Sequence, residues 1–385
     1  MPAASTETSI CVLGAGVSGL TTALTLLRRK YQVTILTSGR NRETTSSAAA
    51  AFWYPFWTGK KPDHTWYRTE WALETYCELE KLVSDQDSGV TRIGLVEYFE
   101  ETMSDAEVEK TIASMWWRHI SKLKFETLDP PWPHDPALSA YNRFKKAIRF
   151  DTLVINMVDY LPFLNDLVVQ AGGQIEPLRM VETRDLESLV WKYDYVVNCT
   201  GLGAQTLVND AWMKAKEGIV VKVTPAEGIS DIVLMHTGGT FGGAHPFYIV
   251  PRGGKRPDVL LGGTINIKES NLQPRHFDWG AIPAEEHTVE DAARAIVQRC
   301  EAVCPSIRSS ERLDISIGYR PAREKPAEKA TAELGQDGVR LGPNWETSPG
   351  PRLIHNYGHG GGGVTLSWGC AEAVATWIDR LEASL

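Results

Sequence analysis

Apolar positions along the chain change their period several times, and each change marks an element. Ile10 to Leu13 is a continuous apolar run with β-branched members, which predicts a strand buried on both faces. Leu20, Leu24 and Leu27 then recur at helical spacing. Arg28, Arg29 and Lys30 follow, where cations suit the end of a helix dipole. Gln32 to Thr37 reads as a second strand. Beyond it, "TEWALETYCELEKLV" is helical and "GLVEYFE" is a strand. The stretch 152–177, "TLVINMVDYLPFLNDLVVQAGGQIEP", reads as a helix followed by a turn. "YDYVVNCTGLGAQTL" is another buried strand closed by a glycine turn. Thr200 and Gly201 fall at its carboxyl end, the edge at which such sheets bind ligands.

After that turn the pattern shifts. "GIVVKVTP", "DIVLMHT", "FYIVPRGG" and "VLLGGTINI" are short strands between glycine and proline turns, which predicts an antiparallel sheet. "TVEDAARAIVQRCEAVCP" is an amphipathic helix stopped by Pro305, and "DISIGYRPARE" is a strand that delivers Arg320 and Arg323. The predicted fold class is α/β + α+β, a Rossmann-like dinucleotide-binding domain with a parallel sheet plus a substrate domain built on a mainly antiparallel sheet. The expected division is 1–58, 145–207 and 314–385 for the first domain. The second, a substrate-binding cap, takes 59–144 and 208–313.

A chain of 385 residues suits two cores better than one. The formal net charge of -8 argues against nucleic acid, whose phosphates need a basic face, but leaves room for an acidic small molecule held by a local arginine. No apolar run reaches membrane-spanning length, and "MPAASTETS" lacks the features of a signal peptide. The six scattered cysteines read as buried free thiols of a reducing compartment. The expected location is intracellular, cytoplasmic or peroxisomal, with the final "ASL" only a loose peroxisomal match.

The glycines of "VLGAGVSGL" open a helix directly after a strand, the setting in which GxGxxG binds a dinucleotide. Gly14 permits the tight turn, Gly16 admits the pyrophosphate and Gly19 lets helix and strand pack closely, with Ala15, Val17 and Ser18 between them. The second strand ends in Thr37, Ser38, Gly39 and Arg40 instead of the usual acidic residue, so ribose contact falls to a hydroxyl. His355 and His359 stand four apart, but "HNYGHGGGG" is a poor helix, so no metal site is expected. The glycine run instead brings backbone amides and a helix start close to a planar ring.

In the order "VLGAGVSGL", "TTSSAAAAFWYPF", "VVNCTG", "GYRPAR" and "HNYGHGGGGVTLSWG", the chain resembles the D-amino-acid oxidase family, which includes D-aspartate oxidase. The resemblance implies FAD as cofactor and oxidation of a D-amino acid by O2. Products would be an imino acid, then a 2-oxo acid and ammonia, with hydrogen peroxide. It puts the substrate carboxylate on Arg320 and Tyr248 and the substrate amine on the carbonyl of Gly361. Side-chain contacts fall on Tyr54, Phe56 and His245. Cofactor contacts extend to Thr44, Thr45, Ala50, Ala51, Trp53, Met180, Val181, Thr200, Gly201, Gly360, Gly361, Gly362, Gly363, Val364 and Thr365. A second active-site tyrosine on a lid has no counterpart in "TGGTFGGAH", where Ala244 or His245 takes its place. His236, His245 and Arg252 are candidate partners for an acidic side chain.

Within this family a D-aspartate or D-glutamate oxidase is an alternative, and a glycine or amine oxidase a more distant one. A nicotinamide-dependent dehydrogenase leaves the last glycine run unexplained. A non-catalytic FAD protein leaves Arg320 and Tyr248 without a role. Beyond substrate and O2 no partner is implied; a homodimer is among the assemblies the resemblance allows.

Overall fold

The structure, a computed structural model, describes residues 8–41, 44–55, 66–130, 144–178, 183–236, 247–263, 289–323, 338–345 and 349–384. Two sheets organise it. The six-stranded sheet has the order β13 (Arg340–Pro343), β14 (Leu353–Tyr357), β7 (Tyr195–Asn198), β1 (Ser9–Ala15), β2 (Gln32–Arg40), β6 (Gln174–Pro177). Its pairs are parallel except β13 against β14. The eight-stranded sheet runs β12 (Arg312–Arg323), β8 (Met213–Val223), β11 (Asp258–Gly262), β10 (Phe247–Arg252), β9 (Ile232–His236), β3 (Val90–Glu100), β5 (Phe144–Ile155), β4 (Glu126–Leu128). It is antiparallel except where β3 meets β9.

The helices are α1 (Val17–Arg28), α2 (Trp66–Leu82), α3 (Asp105–Ser114), α4 (Met157–Gln170), α5 (Thr183–Lys192), α6 (Ala204–Leu207), α7 (Val289–Val303) and α8 (Gly363–Glu382).

The unbroken apolar run of β1 has a direct structural reason. Ile10 and Val12 pack into the core under α1 and α8, while Cys11 and Leu13 enter a second core against α5. Both faces are covered, so no polar position alternates. In the antiparallel sheet the alternation returns. Val221, Val233, Ile249 and Leu261 pack with Ile296 and Cys300 of α7, whereas Val220, Leu234 and Leu260 join the other core.

Two expectations change. Thr152–Ile155 is the end of strand β5 and not the start of a helix. These mostly β-branched residues pair with β3, and α4 begins only after Asn156, whose side chain accepts the Val158 N–H. The strands β5 and β12, grouped above with the dinucleotide segments, hydrogen-bond within the eight-stranded sheet. All six cysteines are free, with only Cys77 exposed. Among the described residues no helix is long and apolar enough to cross a membrane.

Helix α8 lies against α1 and α2, and the closest approach is at Gly369. A Cβ there would stand 2.2 Å from the Cα of Trp71, while the Gly369 N–H donates to Thr75 Oγ1 at 3.0 Å. Gly369→Ala forces the helices apart. Its expected cost is about 1–3 kcal/mol, read as a drop of several degrees in Tm by calorimetry.

Candidate active site

The two sheets enclose a cavity of about 1240 Å³. That exceeds the roughly 300–1,000 Å³ typical of a site for one drug-sized molecule. At one end lies the β1–α1 turn. Gly14 holds φ +102°, and a Cβ on it would stand 2.8 Å from the Cys199 carbonyl oxygen. A Cβ on Gly16 would meet Ser46 Oγ at 3.2 Å. One on Gly19 would meet the Gly14 oxygen at 1.9 Å, so Gly19 serves the helix–strand contact and is not on the cavity wall. Gly14, Ala15, Gly16, Val17 and Ser18 are on it.

Hydroxyls brace this turn. Thr37 Oγ1 accepts from the Ala15 N–H at 3.2 Å and donates to the Gly39 carbonyl at 2.7 Å. Ser46 Oγ accepts from the Val17 N–H at 3.0 Å. Thr37 and Ser38 face the cavity, as do Thr44, Thr45, Ala50, Ala51, Thr200 and Gly201. Arg40 is not on the wall; it donates to the Ile175 carbonyl at 2.5 Å.

Another part of the wall is the second glycine run. Gly360, with φ +57°, Gly361, Gly363, Val364 and Thr365 line it, where a short turn at Gly360–Gly362 leads into α8. Gly362 is buried behind them. His355 belongs to β14 and His359 to the turn, where its Nε2 pairs with Asn356 Oδ1 at 3.0 Å. The two rings therefore do not share a helical face. Two glycine cradles backed by helix starts, both at the carboxyl edge of the six-stranded sheet where β1 and β14 flank β7, fit an extended dinucleotide with phosphates at the first and a flat ring at the second.

The candidate substrate groups line the same cavity. Arg320 comes from β12 and Tyr248 from β10. The guanidinium lies on the adjacent strand, where a Cβ on Gly218 would be 2.5 Å from Nη1, and Nη1 donates to the Glu217 carbonyl at 3.2 Å. The Tyr248 ring lies on Gly262 in the same way, at 2.5 Å from the Cβ that residue lacks. Burial raises the Tyr248 pKa, opposed by the Arg320 charge and a hydrogen bond between the two side chains. Tyr54 lines the cavity and donates to Glu97 Oε2 at 2.6 Å. Burial, then the Glu97 charge, pushes the Tyr54 pKa well above its ordinary value.

Other expectations fall elsewhere. Trp53 does not reach the cavity: its fully buried indole donates to the Ala72 carbonyl at 2.8 Å, because β5 pairing turns this side chain towards α2. Arg252 is buried and tied to Asp258, through Nε at 2.7 Å and Nη2 at 2.5 Å, which removes it as a contact for substrate. Phe56, Met180, Val181, Ala244 and His245 lie outside the described residues, as does the "TGGTFGGAH" stretch. Sequence reading overlooked Ser46, Trp117 and Glu97, all on the wall. Glu97 left a signal, an acidic residue inside the apolar strand "GLVEYFE".

A buried polar network fixes the end of β12. Arg323 Nε donates to Asp210 Oδ2 at 2.7 Å, and the Tyr357 hydroxyl donates to the same oxygen at 2.8 Å. Arg340 donates to that hydroxyl at 3.0 Å, and the Arg323 guanidinium stacks over Trp212 at 4.5 Å. His355 packs edge-on to Tyr357. Burial, with Arg340 and Arg323 nearby, lowers its pKa to about 3.

This combination defines a dinucleotide-dependent enzyme whose cavity wall also carries an arginine and a tyrosine, groups whose chemistry suits a carboxylate. The model of the FAD dependent oxidoreductase (DAO) family matches residues 9–377, and the chain belongs to that family. It is 32% identical over 368 residues to a D-amino-acid oxidase of Rubrobacter xylanophilus, covering 94% of each chain. It is 29% identical over 379 residues to the D-aspartate oxidase of Homo sapiens, covering 98% of this chain and 96% of that one. The crystal structure of glycine oxidase from Geobacillus kaustophilus has the same fold, with a TM-score of 0.72 at 18% identity over 97% of this chain and 95% of the other. The cofactor is FAD, and the two cradles are the parts of the chain that fit it.

Two outcomes follow from the network. Asp210→Ala leaves the Arg323 charge buried without its carboxylate, at an expected cost of about 3–5 kcal/mol, measurable by denaturant unfolding. His355 binds a proton more readily in the unfolded chain, whose pKa is near 6.5. Stability is therefore full above that value and is lost as pH falls towards the folded value of about 3. In His355→Phe the Tm measured from pH 7 down to pH 4 declines less steeply.

Proposed function

We propose that the protein is a D-amino-acid oxidase, converting a D-amino acid and O2 to an imino acid and hydrogen peroxide. The imino acid then hydrolyses to a 2-oxo acid and ammonia. The observation that carries this reading is the Arg320–Tyr248 pair, set in the wall of the cavity that the two cradles also line. Relatives named D-amino-acid oxidase, aligned over 94% and 95% of the chain, support it.

The chemistry FAD supplies when bound is acceptance of a hydride from the substrate α-carbon and return of the electrons to O2. The chain's own groups bind and orient. Arg320 grips the substrate carboxylate through a two-pronged, charge-assisted pair. Tyr248, kept protonated by its raised pKa, donates a further hydrogen bond to the carboxylate. The Gly361 carbonyl accepts from the substrate amine.

With carboxylate and amine both held, only one enantiomer directs its α-hydrogen at the ring cradle while its side chain enters the cavity. Much of the rate then comes from orientation. An amine bound in its neutral form needs no protein base.

The purified protein is expected to be yellow, to bleach anaerobically with D- but not L-amino acids, and to release peroxide in air. Failure of every D-amino acid to bleach it refutes the proposal. Arg320→Ala is expected to keep its flavin spectrum while KM for D-amino acids rises about 100-fold or more; an unchanged KM removes Arg320 from the carboxylate role.

A further inference from the structure

The carboxylate anchor has an opposite pole. Strand pairing aligns Glu97 of β3 with Leu234 of β9, Leu234 with Tyr248 of β10, and Tyr248 with Gly262 of β11. Paired residues point to the same side of a sheet, and Glu97, Leu234 and Tyr248 all line the cavity. Glu97 therefore stands two strands beyond Tyr248, about 10 Å away across the sheet. It is 2% exposed and receives the Tyr54 hydroxyl at 2.6 Å.

The space between these poles is aromatic. Phe52 stands edge-on to Tyr248 at 6.2 Å and stacks with Tyr54 at 6.3 Å, and Trp117 meets Tyr54 at 5.6 Å. Rings around a carboxylate are a chemistry that receives a cation. Glu97 is almost wholly removed from bulk solvent, so a like charge brought beside it is repelled strongly.

Among the described residues, Lys216 is the wall's other cation besides Arg320, and it pairs in register with Arg320. It sits at the anchoring pole, four strands from β3. Polarity thus runs one way along the cavity, cationic where the substrate carboxylate binds and anionic where its side chain ends.

We propose that Glu97 determines specificity, selecting D-amino acids whose long side chain ends in a cation, such as D-lysine and D-arginine, and turning away D-aspartate and D-glutamate. This rests on the assignment of Arg320 and Tyr248 to the substrate carboxylate. Tyr54 acts as a positioning residue that holds the Glu97 carboxylate towards the cavity.

The test compares kcat/KM for D-lysine, D-methionine and D-glutamate in the wild-type holoenzyme and in Glu97→Gln. D-methionine has a similar length without charge, so ratios to it cancel any loss of folded protein. In the wild type, D-lysine is expected to exceed D-glutamate at least about 100-fold, since misplaced like charge costs several kcal/mol. In Glu97→Gln the D-lysine to D-methionine ratio falls at least about tenfold, and the D-glutamate to D-methionine ratio rises by a similar factor.

A wild-type enzyme that prefers D-glutamate overturns the proposal, and so do variant ratios that do not move. Equal loss of kcat with all three substrates also overturns it, because a carboxylate acting as a base or as a structural support acts on every substrate alike. If none of the three is oxidised and no other D-amino acid bleaches the flavin, the oxidase reading fails first, which separates that failure from an error about Glu97.

Discussion

The buried pairing of Arg323 with Asp210 holds the working parts in one frame. Arg323 ends the strand that carries Arg320, and Tyr357, which shares the same carboxylate oxygen, ends the strand that leads into the second glycine run. One oxygen thus ties the strand of the proposed substrate anchor to the strand that leads into the second glycine run. A buried ion pair of this kind adds little net stability over apolar packing, yet removing one partner is costly. Its value here is geometric. Strand β12 also touches the turn after β14 at a bridge between Ala322 and His359, so the spacing between the two is set at a second point.

Positioning within the site relies on missing side chains. Arg320 rests on Gly218, and Tyr248 on Gly262, each filling the place of a Cβ. A guanidinium or ring pressed against backbone loses rotamer freedom when the protein folds, before any ligand arrives. Less ordering then remains for binding to impose.

Much of this was legible in the chain itself. The double-faced strand at Ile10–Leu13, the phosphate turn and the closing glycine run each have local patterns that only one structural setting explains. The antiparallel sheet was legible as a set of strands, but its order was not. Nothing local in "GLVEYFE" tells that β3 lies beside β9, because pairing across more than a hundred residues is decided by packing. Glu97 was missed for that reason. The boundary at Asn156 was missed because "TLVIN" and "MVDYLPFL" together carry enough apolar residues to read as one helix, and only pairing with β3 separates them. Trp53 and Arg252 illustrate the opposite error. Their residue types suit a ligand site, but their side chains serve α2 and Asp258.

The clasp between the first and last elements bears on synthesis. Thr8 bonds to Glu382, Tyr31 to Asp379, and Arg29 to both Glu372 and Asp379. Helix α1 therefore finds its main neighbour only after more than three hundred further residues have emerged from the ribosome. Until then the apolar face awaiting α8 lies open, and neither the flavin ring nor the substrate has a complete site. Contacts this distant in sequence slow folding and prolong exposure of sticky surface. Early capture of FAD by the nascent chain is thus limited to its phosphate end, and a chain stopped before its last helix holds no assembled oxidation site.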